Sequence, residues 1–231
     1  MATFVIVHGA WGGGFSWARI RRMLAAEGHE VFTPTLTGLG ERAHLASPDV
    51  DLATHIQDVV AVIETEDLRD VILLGHSYGG MVVTGAADRV ADRLAHLAYL
   101  DAFAPRDGES VMSLQPAENA QSMRQRLVEG WRLPPNPLAP DTPEAQRAWL
   151  AARRKDQPVK TFTQPMRLTG AAAAVPRTYI YCLQKYPGDT FGPHAKRAQE
   201  AGWRYREIDA THTPNVTSPE ALLKLILEMT V

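Results

Sequence analysis

Val71-Ile72-Leu73-Leu74-Gly75-His76-Ser77-Tyr78-Gly79 is an apolar run that ends in the pattern Gly-x-Ser-x-Gly. A helical pattern that carries Met81, Val82 and Val83 follows it. A serine at such a tight turn between a strand and a helix exposes its hydroxyl, and the residues on either side must be small. We therefore predict that Ser77 is a nucleophile at a strand-to-helix turn. A serine that only caps the helix is the alternative interpretation.

Short apolar runs alternate with amphipathic helical patterns on both sides of this turn. Such alternation is typical of β-α-β units and of a parallel sheet whose strands are covered on both faces. The predicted strands are Thr3–His8, Glu30–Thr35, Val71–Leu74, His96–Leu100, Thr178–Cys182 and Arg204–Ile208. The sequence therefore predicts an α/β fold with a mostly parallel six-stranded sheet flanked by helices, in one domain that spans residues 1–231.

The alternation is interrupted between residues 105 and 175, where no clear strand is predicted. A segment of this length without secondary structure of its own is uncommon in a compact domain, so we predict a small helical cap inserted into the domain. Large apolar residues in this segment predict a pocket for a mainly apolar or aromatic substrate, and plain packing between cap and core is an equal alternative for each of them. The predicted pocket residues are Met112, Trp131, Trp149 and Phe162, together with Trp11 near the N-terminus.

The composition excludes several classes of protein. The 231 residues are 45% hydrophobic and 22% charged, and 24 basic residues are mixed with 26 acidic ones, so no basic face for nucleic acid is indicated. Cys182 is the single cysteine in the sequence, which excludes an internal disulfide and a cysteine-rich zinc site. The N-terminal residues lack the pattern of a signal peptide and no stretch is long enough to span a bilayer, which predicts a cytoplasmic protein without a membrane partner.

The loop after the first predicted strand reads His8-Gly9-Ala10-Trp11. In folds with a serine at this type of turn, that loop and the residue after the serine supply the backbone amides that bind a developing oxyanion. We therefore predict that the N–H groups of Ala10 and Tyr78 have this role. The neighbouring Gly12-Gly13-Gly14 lacks the spacing of a nucleotide-binding loop, so no nucleotide cofactor is predicted.

A histidine must take the proton of the serine, and His212 is the preferred candidate. It is the histidine that lies between the last predicted strand and the final helix, which gives the chain order serine, acid, histidine. His194 is the alternative, but it introduces a helix and no strand end holds it. A surface-loop histidine without function is the other interpretation of His212.

Three carboxylates are candidates for the acid that orients this histidine. Asp101 directly follows the strand His96–Leu100, and its apolar neighbours would make an unpaired carboxylate costly. After the strand Thr178–Cys182 the sequence has Lys185, and the nearest carboxylate is Asp189. We rank Asp101 first, Asp189 second and Asp209 third.

Four stretches resemble one branch of the α/β-hydrolase fold, which contains plant methyl esterases, hydroxynitrile lyases and related bacterial esterases. They are His8-Gly9-Ala10-Trp11, residues 35–42, Gly75-His76-Ser77-Tyr78-Gly79-Gly80 and residues 100–105. The resemblance implies a core sheet with a small helical cap, and ester hydrolysis as the default activity. It also implies a small-molecule substrate and no metal or organic cofactor; a homodimer stays open.

The sequence departs from this branch at two places. The plant members generally place the acid after the strand that corresponds to Thr178–Cys182, where Lys185 stands here, and this supports an acid relocated to Asp101. The hydroxynitrile lyases typically have a lysine after the catalytic histidine and a threonine after the first-strand histidine. Thr213 and Gly9 occupy those positions, which disfavours cyanohydrin cleavage.

These observations predict a serine hydrolase of the carboxylesterase type that acts through Ser77, His212 and Asp101 and an acyl-enzyme. Two other functions stay open at this point. One is a non-hydrolytic lyase or natural-product tailoring enzyme on the same scaffold, and the other is a ligand-binding protein with slow residual hydrolysis.

Overall fold

A parallel sheet of six strands forms the centre of the protein. The computed structural model describes residues 1–185 and 188–230. The strands are β1 (Thr3–Val7), β2 (Glu30–Phe32), β3 (Val71–His76), β4 (Leu94–Leu100), β7 (Arg177–Cys182) and β8 (Arg204–Ile208). Their order in the sheet is β2-β1-β3-β4-β7-β8, and all five pairings are parallel. The predicted six-stranded α/β fold is confirmed.

Several predicted strand boundaries are off by one to three residues, and the two largest differences at a strand's carboxyl end have local reasons. β2 ends at Phe32 instead of Thr35, because Pro34 has no N–H to donate to a neighbouring strand. β3 continues beyond Leu74 to His76, because Gly75 pairs with β1 and His76 pairs with Leu100 of β4. This extension places the Gly-x-Ser-x-Gly pattern directly at the carboxyl end of the sheet.

Helices cover both faces of the sheet. They are α1 (Ala18–Ala26), α2 (Leu52–Thr65), α3 (Gly79–Arg89), α4 (Ala117–Gln125), α5 (Glu144–Arg153), α6 (Lys160–Thr163), α7 (Gly192–Glu200), α8 (Pro214–Thr217) and α9 (Pro219–Leu227). Residues alternate between the two faces along each strand, so that Val5 belongs to one buried cluster and Phe4 to the other. The cluster with Val5 includes residues of α2 and α3, and the cluster with Phe4 includes residues of α1 and α9.

The segment between residues 105 and 175 holds α4, α5 and α6, and it also holds a short ribbon. The strands β5 (Arg132–Leu133) and β6 (Gln157–Pro158) pair antiparallel in this ribbon. We predicted no strand here, and that prediction is wrong because two residues per strand are too few to produce an alternating pattern. Within residues 1–185 and 188–230, no helix has the length and apolar character needed to cross a bilayer.

Glycines let the turn after β3 pack tightly against its neighbours. A Cβ atom on Gly79 would lie 2.6 Å from the carbonyl oxygen of Val7, and one on Gly80 would lie 2.0 Å from that of Phe103. These contacts are with backbone, which a side-chain rotation cannot relieve. The first turn of α3 is therefore fixed between the ends of β1 and β4.

Replacement of Gly80 by alanine tests this packing. We expect Gly80→Ala to lower the free energy of unfolding by about 3 kcal/mol, because the new methyl group displaces backbone at Phe103. Gly28→Ala is the control: Gly28 has φ +82°, but a Cβ there meets nothing within 4 Å, so only the left-handed conformation costs about 1 kcal/mol. Urea denaturation of both variants measures the difference, and equal losses would contradict the proposed contact.

Candidate active site

Ser77 occupies a strained turn at the carboxyl end of β3. Its φ is +55°, in the left-handed region that non-glycine residues seldom adopt. Its N–H donates to the carbonyl oxygen of Leu100 at 3.2 Å, and its own carbonyl oxygen accepts from the N–H of Phe103 at 3.2 Å. The end of β4 therefore holds the turn from both sides and leaves the hydroxyl facing the cavity described below.

The three residues predicted to act together lie in one hydrogen-bonded row. Nε2 of His212 is 3.0 Å from Oγ of Ser77, and Nδ1 of the same ring is 2.8 Å from Oδ2 of Asp101. His212 comes from the loop after β8, and Asp101 directly follows β4. With its proton on Nδ1, the imidazole donates to the carboxylate and its Nε2 can accept the proton of the serine hydroxyl.

Asp101 is buried and accepts three hydrogen bonds. Its side chain is 1% exposed, and Oδ1 accepts from the N–H of Cys182 at 3.3 Å and from Nζ of Lys185 at 2.5 Å. Burial by itself would raise the pKa of Asp101, but the hydrogen bond from His212 and the charge of Lys185 outweigh it and hold the pKa below its usual range. The carboxylate therefore stays ionised beside the imidazole.

The alternative candidates for the acid and the histidine have other hydrogen-bond partners. Asp189 accepts hydrogen bonds from the hydroxyl of Tyr181 and from the N–H groups of Phe191 and Gly192. Asp209 accepts from the side chain of Gln184 at the surface. His194 is buried in α7, where its Nδ1 accepts from the N–H of Ala104. None of the three contacts the pair Ser77 and His212 in the described part of the chain.

Two aromatic side chains hold the His212 loop in place. Nε2 of His76 donates to the carbonyl oxygen of His212 at 2.7 Å, which fixes the backbone on which the imidazole stands. The ring of Phe191 stacks on the imidazole with 4.8 Å between centroids and 8° between planes. The imidazole is therefore restrained in both position and tilt before a substrate arrives.

The loop with the predicted oxyanion amides packs directly on Ser77. A Cβ atom on Gly9 would lie 3.1 Å from Cβ of Ser77 and would crowd the serine. Nδ1 of His8 donates to the carbonyl oxygen of Gly9 and Nε2 accepts from the N–H of Leu36, which fixes the start of the loop. Ala10 and Tyr78 both line the cavity together with Ser77.

The short ribbon of the inserted segment holds the other end of this loop. The N–H of Trp11 donates to Oε1 of Gln157 at 3.0 Å, and its indole Nε1 donates to the carbonyl oxygen of Leu133 at 2.9 Å. Trp11 itself has φ +60°. The amide of Trp11 is thus already paired, while the strands β5 and β6 fix the path of the loop next to Ala10.

A cavity of about 700 Å³ opens above the serine and is lined by both the sheet and the inserted segment. Of the residues predicted to line a pocket, Trp11 and Phe162 line this cavity, whereas Met112, Trp131 and Trp149 lie elsewhere. Packing explains where these three lie. Met112 is buried in the core cluster with Val5. The ring of Trp131 packs against Arg132, whose Cζ lies 5.8 Å from the ring centre.

Trp149 is 41% exposed on the outer side of α5, where it packs against Phe15 and Arg153. The next residue, Leu150, faces the cavity instead. The only large apolar residues of α5 are Trp149 and Leu150, and two adjacent residues do not indicate which side of a helix faces inward.

Several residues of the site were not predicted from the sequence. Gln157 is fully buried, yet a glutamine between Asp156 and Pro158 gives no sequence signal of burial. His76 could have been suspected, because it lies inside the Gly-x-Ser-x-Gly pattern. Lys185 was noted as the residue that replaces an acid, but its ion pair with Asp101 follows only from the packing of β7 beside β4.

The model of the alpha/beta hydrolase family matches residues 4–225 of the chain. The chain belongs to this family. The carbendazim hydrolyzing esterase of Nocardioides sp. (strain SG-4G) is 38% identical over 234 residues, which cover 96% of this α/β hydrolase and 97% of the relative. The pyrethroid hydrolase of Sphingobium wenxiniae is 25% identical over 253 residues, or 99% of this chain and 87% of that protein.

A solved structure of similar shape is the extracellular α/β-hydrolase from a Paenibacillus species, described as sharing structural and functional homology with tobacco salicylic acid binding protein 2. It superposes with a TM-score of 0.87 at 29% identity, and the match covers 99% of each chain. The likeness therefore extends over the sheet and the inserted segment of this α/β hydrolase.

Because several of its histidines are buried, we predict that this α/β hydrolase loses stability in mild acid. His8, His55 and His76 are three of them. Burial lowers the pKa of His8 and His55 to about 4 and that of His76 to about 3. The folded chain keeps these rings neutral, whereas the unfolded chain protonates them as the pH falls through about 6.5, so stability is present above that pH and is lost below it. Near pH 5 these three rings account for about three more protons on the unfolded state, a slope of about 4 kcal/mol per pH unit, and His96 and His194, whose pKa burial also lowers to about 4, add to it.

Urea denaturation between pH 7 and pH 5 measures this slope. His76→Gln should reduce it by about one proton, or about 1.4 kcal/mol per pH unit. His44 is exposed, so His44→Gln is the matched control and should leave the slope unchanged. An unaltered slope in His76→Gln would show that His76 is charged in the folded protein.

Proposed function

We propose that this protein is a carboxylic ester hydrolase in which Ser77 is the nucleophile, His212 the general base and Asp101 the acid that orients it. The observation that carries the proposal is the row of two hydrogen bonds, 3.0 Å from serine to imidazole and 2.8 Å from imidazole to carboxylate. Because this row begins at the cavity and ends at a buried carboxylate, it is suited to move one proton away from Ser77.

In the first half of the reaction, Oγ of Ser77 attacks the ester carbonyl carbon while its proton moves to Nε2 of His212. The carbonyl oxygen becomes negative, and the N–H groups of Ala10 and Tyr78 are proposed to bind it. Asp101 stabilises the imidazolium that forms. His212 then gives its proton to the departing alkoxide, so that an alcohol leaves and the acyl group stays on the serine.

In the second half, water takes the place of the alcohol. His212 removes a proton from the water as the resulting hydroxide attacks the acyl carbonyl, and the same two amides bind the oxyanion again. The proton on His212 returns to Oγ of Ser77, and a carboxylic acid is released. The tether of Trp11 to Gln157 and Leu133 keeps the Ala10 amide in place through both halves.

The walls near the serine favour a small substrate that is apolar or aromatic around the ester. Trp11, Phe103, Phe162 and Phe191 line the cavity with Ser77 and His212. A volume of about 700 Å³ lies in the range of small-molecule pockets. The names of the two bacterial relatives, a carbendazim hydrolyzing esterase and a pyrethroid hydrolase, support hydrolysis of a small-molecule ester.

Covalent labelling tests the nucleophile. A fluorophosphonate should add its mass to one peptide, the one that contains Ser77, because His212 activates that hydroxyl. Ser77→Ala should prevent the labelling and reduce the hydrolysis of a chromogenic ester by about 10⁴-fold or more. Intact mass and peptide mapping give the readout. Ester hydrolysis without any label on Ser77 would exclude the acyl-enzyme, and a lack of both would favour a lyase or a binding protein.

A pair of isosteric variants tests the acid. Asp101→Asn should lower kcat by about 10³- to 10⁴-fold, because an amide cannot stabilise the imidazolium or select its tautomer. Asp189→Asn is the matched control: it removes a charge from the same cavity wall, and we expect less than about a tenfold change through the position of Phe191. Circular dichroism establishes that both are folded. A larger loss in Asp189→Asn would assign the role to Asp189 instead.

A further inference from the structure

The cavity has a second polar region, which is formed by the inserted segment. Arg126 and Arg154, which end α4 and α5, both line the cavity. The neighbouring lining residues Gln115, Asn119 and Ser122 are polar and uncharged. We call Arg126 and Arg154 the arginine pair.

One asparagine holds both members of the pair. Nη1 of Arg126 donates to Oδ1 of Asn136 at 2.6 Å, and Nη1 of Arg154 donates to the carbonyl oxygen of Asn136, also at 2.6 Å. Arg126 also donates through Nη2 to the carbonyl oxygen of Pro134 at 2.8 Å. Both guanidinium groups are therefore fixed in direction at neighbouring positions.

Arg154 keeps one edge of its guanidinium unused. No hydrogen-bond partner of its Nε or Nη2 lies among the described residues, and its Cζ is 5.7 Å from the centre of the Trp11 ring. The Nε–Nη2 edge presents two parallel N–H groups, which match the two oxygens of a carboxylate. The contact with Trp11 places the guanidinium of Arg154 beside the loop that carries the proposed oxyanion amide of Ala10.

The positive charge of the pair is not neutralised within the described chain. No carboxylate among the described residues lies within 4 Å of either guanidinium, and four acidic residues of the inserted segment pair with other arginines: Glu129 and Asp156 with Arg132, Glu144 with Arg147, and Glu109 with Arg197. The two acidic residues that line the cavity, Asp101 and Asp189, both lie within 4 Å of Lys185. Burial lowers the pKa of Arg154, the direction expected for a cation without a counter-ion. An anion at this place would relieve that cost.

We propose that the arginine pair is a subsite for a carboxylate on the substrate, so that the preferred esters are half-esters of dicarboxylic acids. The proposal rests on the ester hydrolase function above. The ester group lies at Ser77 between aromatic walls, and the free carboxylate binds the Nε–Nη2 edge of Arg154. Arg126 adds charge and holds Asn136. A neutral ester of equal length cannot accept these hydrogen bonds from Arg154.

Two matched substrate series test the subsite: methyl hydrogen esters of linear dicarboxylic acids of increasing length, and methyl esters of the linear monocarboxylic acids of the same length. The ratio of kcat/KM, charged over neutral, should pass through a maximum above one at the length that spans the two sites. Arg154→Gln should lower this ratio by about tenfold, mainly through KM. Arg154→Lys keeps the charge but not the two-point contact and should give an intermediate ratio.

Arg153→Gln is the control, because Arg153 is exposed against Trp149, does not line the cavity and changes the net charge equally. It should leave the ratio as in the unaltered protein. A ratio below one at every length, or equal ratios in Arg153→Gln and Arg154→Gln, would overturn the proposal. If Arg154→Gln does not fold, Arg126→Gln serves instead and should also lower the ratio.

Calorimetry separates a failure of this subsite from a failure of the proposed function. Each linear dicarboxylate of the series is titrated into the Ser77→Ala variant. The length that binds most tightly should bind more weakly when Arg154→Gln is added. Turnover of both ester series without this dependence overturns the subsite and leaves the hydrolase function intact. No turnover of either series, with dicarboxylate binding that depends on Arg154, supports the subsite and refutes the hydrolase function.

Discussion

The left-handed backbone of Ser77 is held by the end of β4, and the rest of the site is arranged around it. Two hydrogen bonds, to Leu100 and from Phe103, fix the turn, and Gly79 and Gly80 allow α3 to begin against the backbone of Val7 and Phe103. Because the turn is locked on both sides, the serine hydroxyl needs no rearrangement to meet the imidazole. Preorganisation of this kind replaces the solvent reorganisation that would otherwise add to the barrier.

The position of the carboxylate gives this site its particular electrostatics. Asp101 shares its charge between His212 and Lys185, whose ammonium group also lies 3.7 Å from the centre of the Tyr181 ring. A buried carboxylate is costly, and the lysine offsets that cost without occupying the oxygen that faces the imidazole. Lys185, which follows β7, is the counter-ion of Asp101, which follows the neighbouring strand β4.

The sequence was sufficient to predict the parts of the structure that depend on residues close together in the chain. Apolar runs determine buried strands, and a glycine on each side of Ser77 determines a tight turn, so the sheet and the serine could be predicted. The chain order singled out His212, and the cost of an unpaired aspartate favoured Asp101. The pocket was harder: Trp149 and Leu150 are adjacent and both apolar, and only tertiary packing decides which of them faces the cavity. The ion pair of Lys185 likewise depends on which strands are neighbours.

The inserted segment does more than cover the serine. Its ribbon fixes the Trp11 loop through Gln157 and Leu133, while α4 and α5 bring two cations to the same cavity. The cavity therefore has two charged regions: the neutralised pair of Asp101 and Lys185 beside His212, and the arginine pair, which has no ion-pair partner among the described residues. A substrate that contacts both Ser77 and the arginine pair is oriented before chemistry begins, because reversal would leave the arginine pair without its carboxylate. Such an arrangement discriminates against substrates without the carboxylate as well as favouring those that have it.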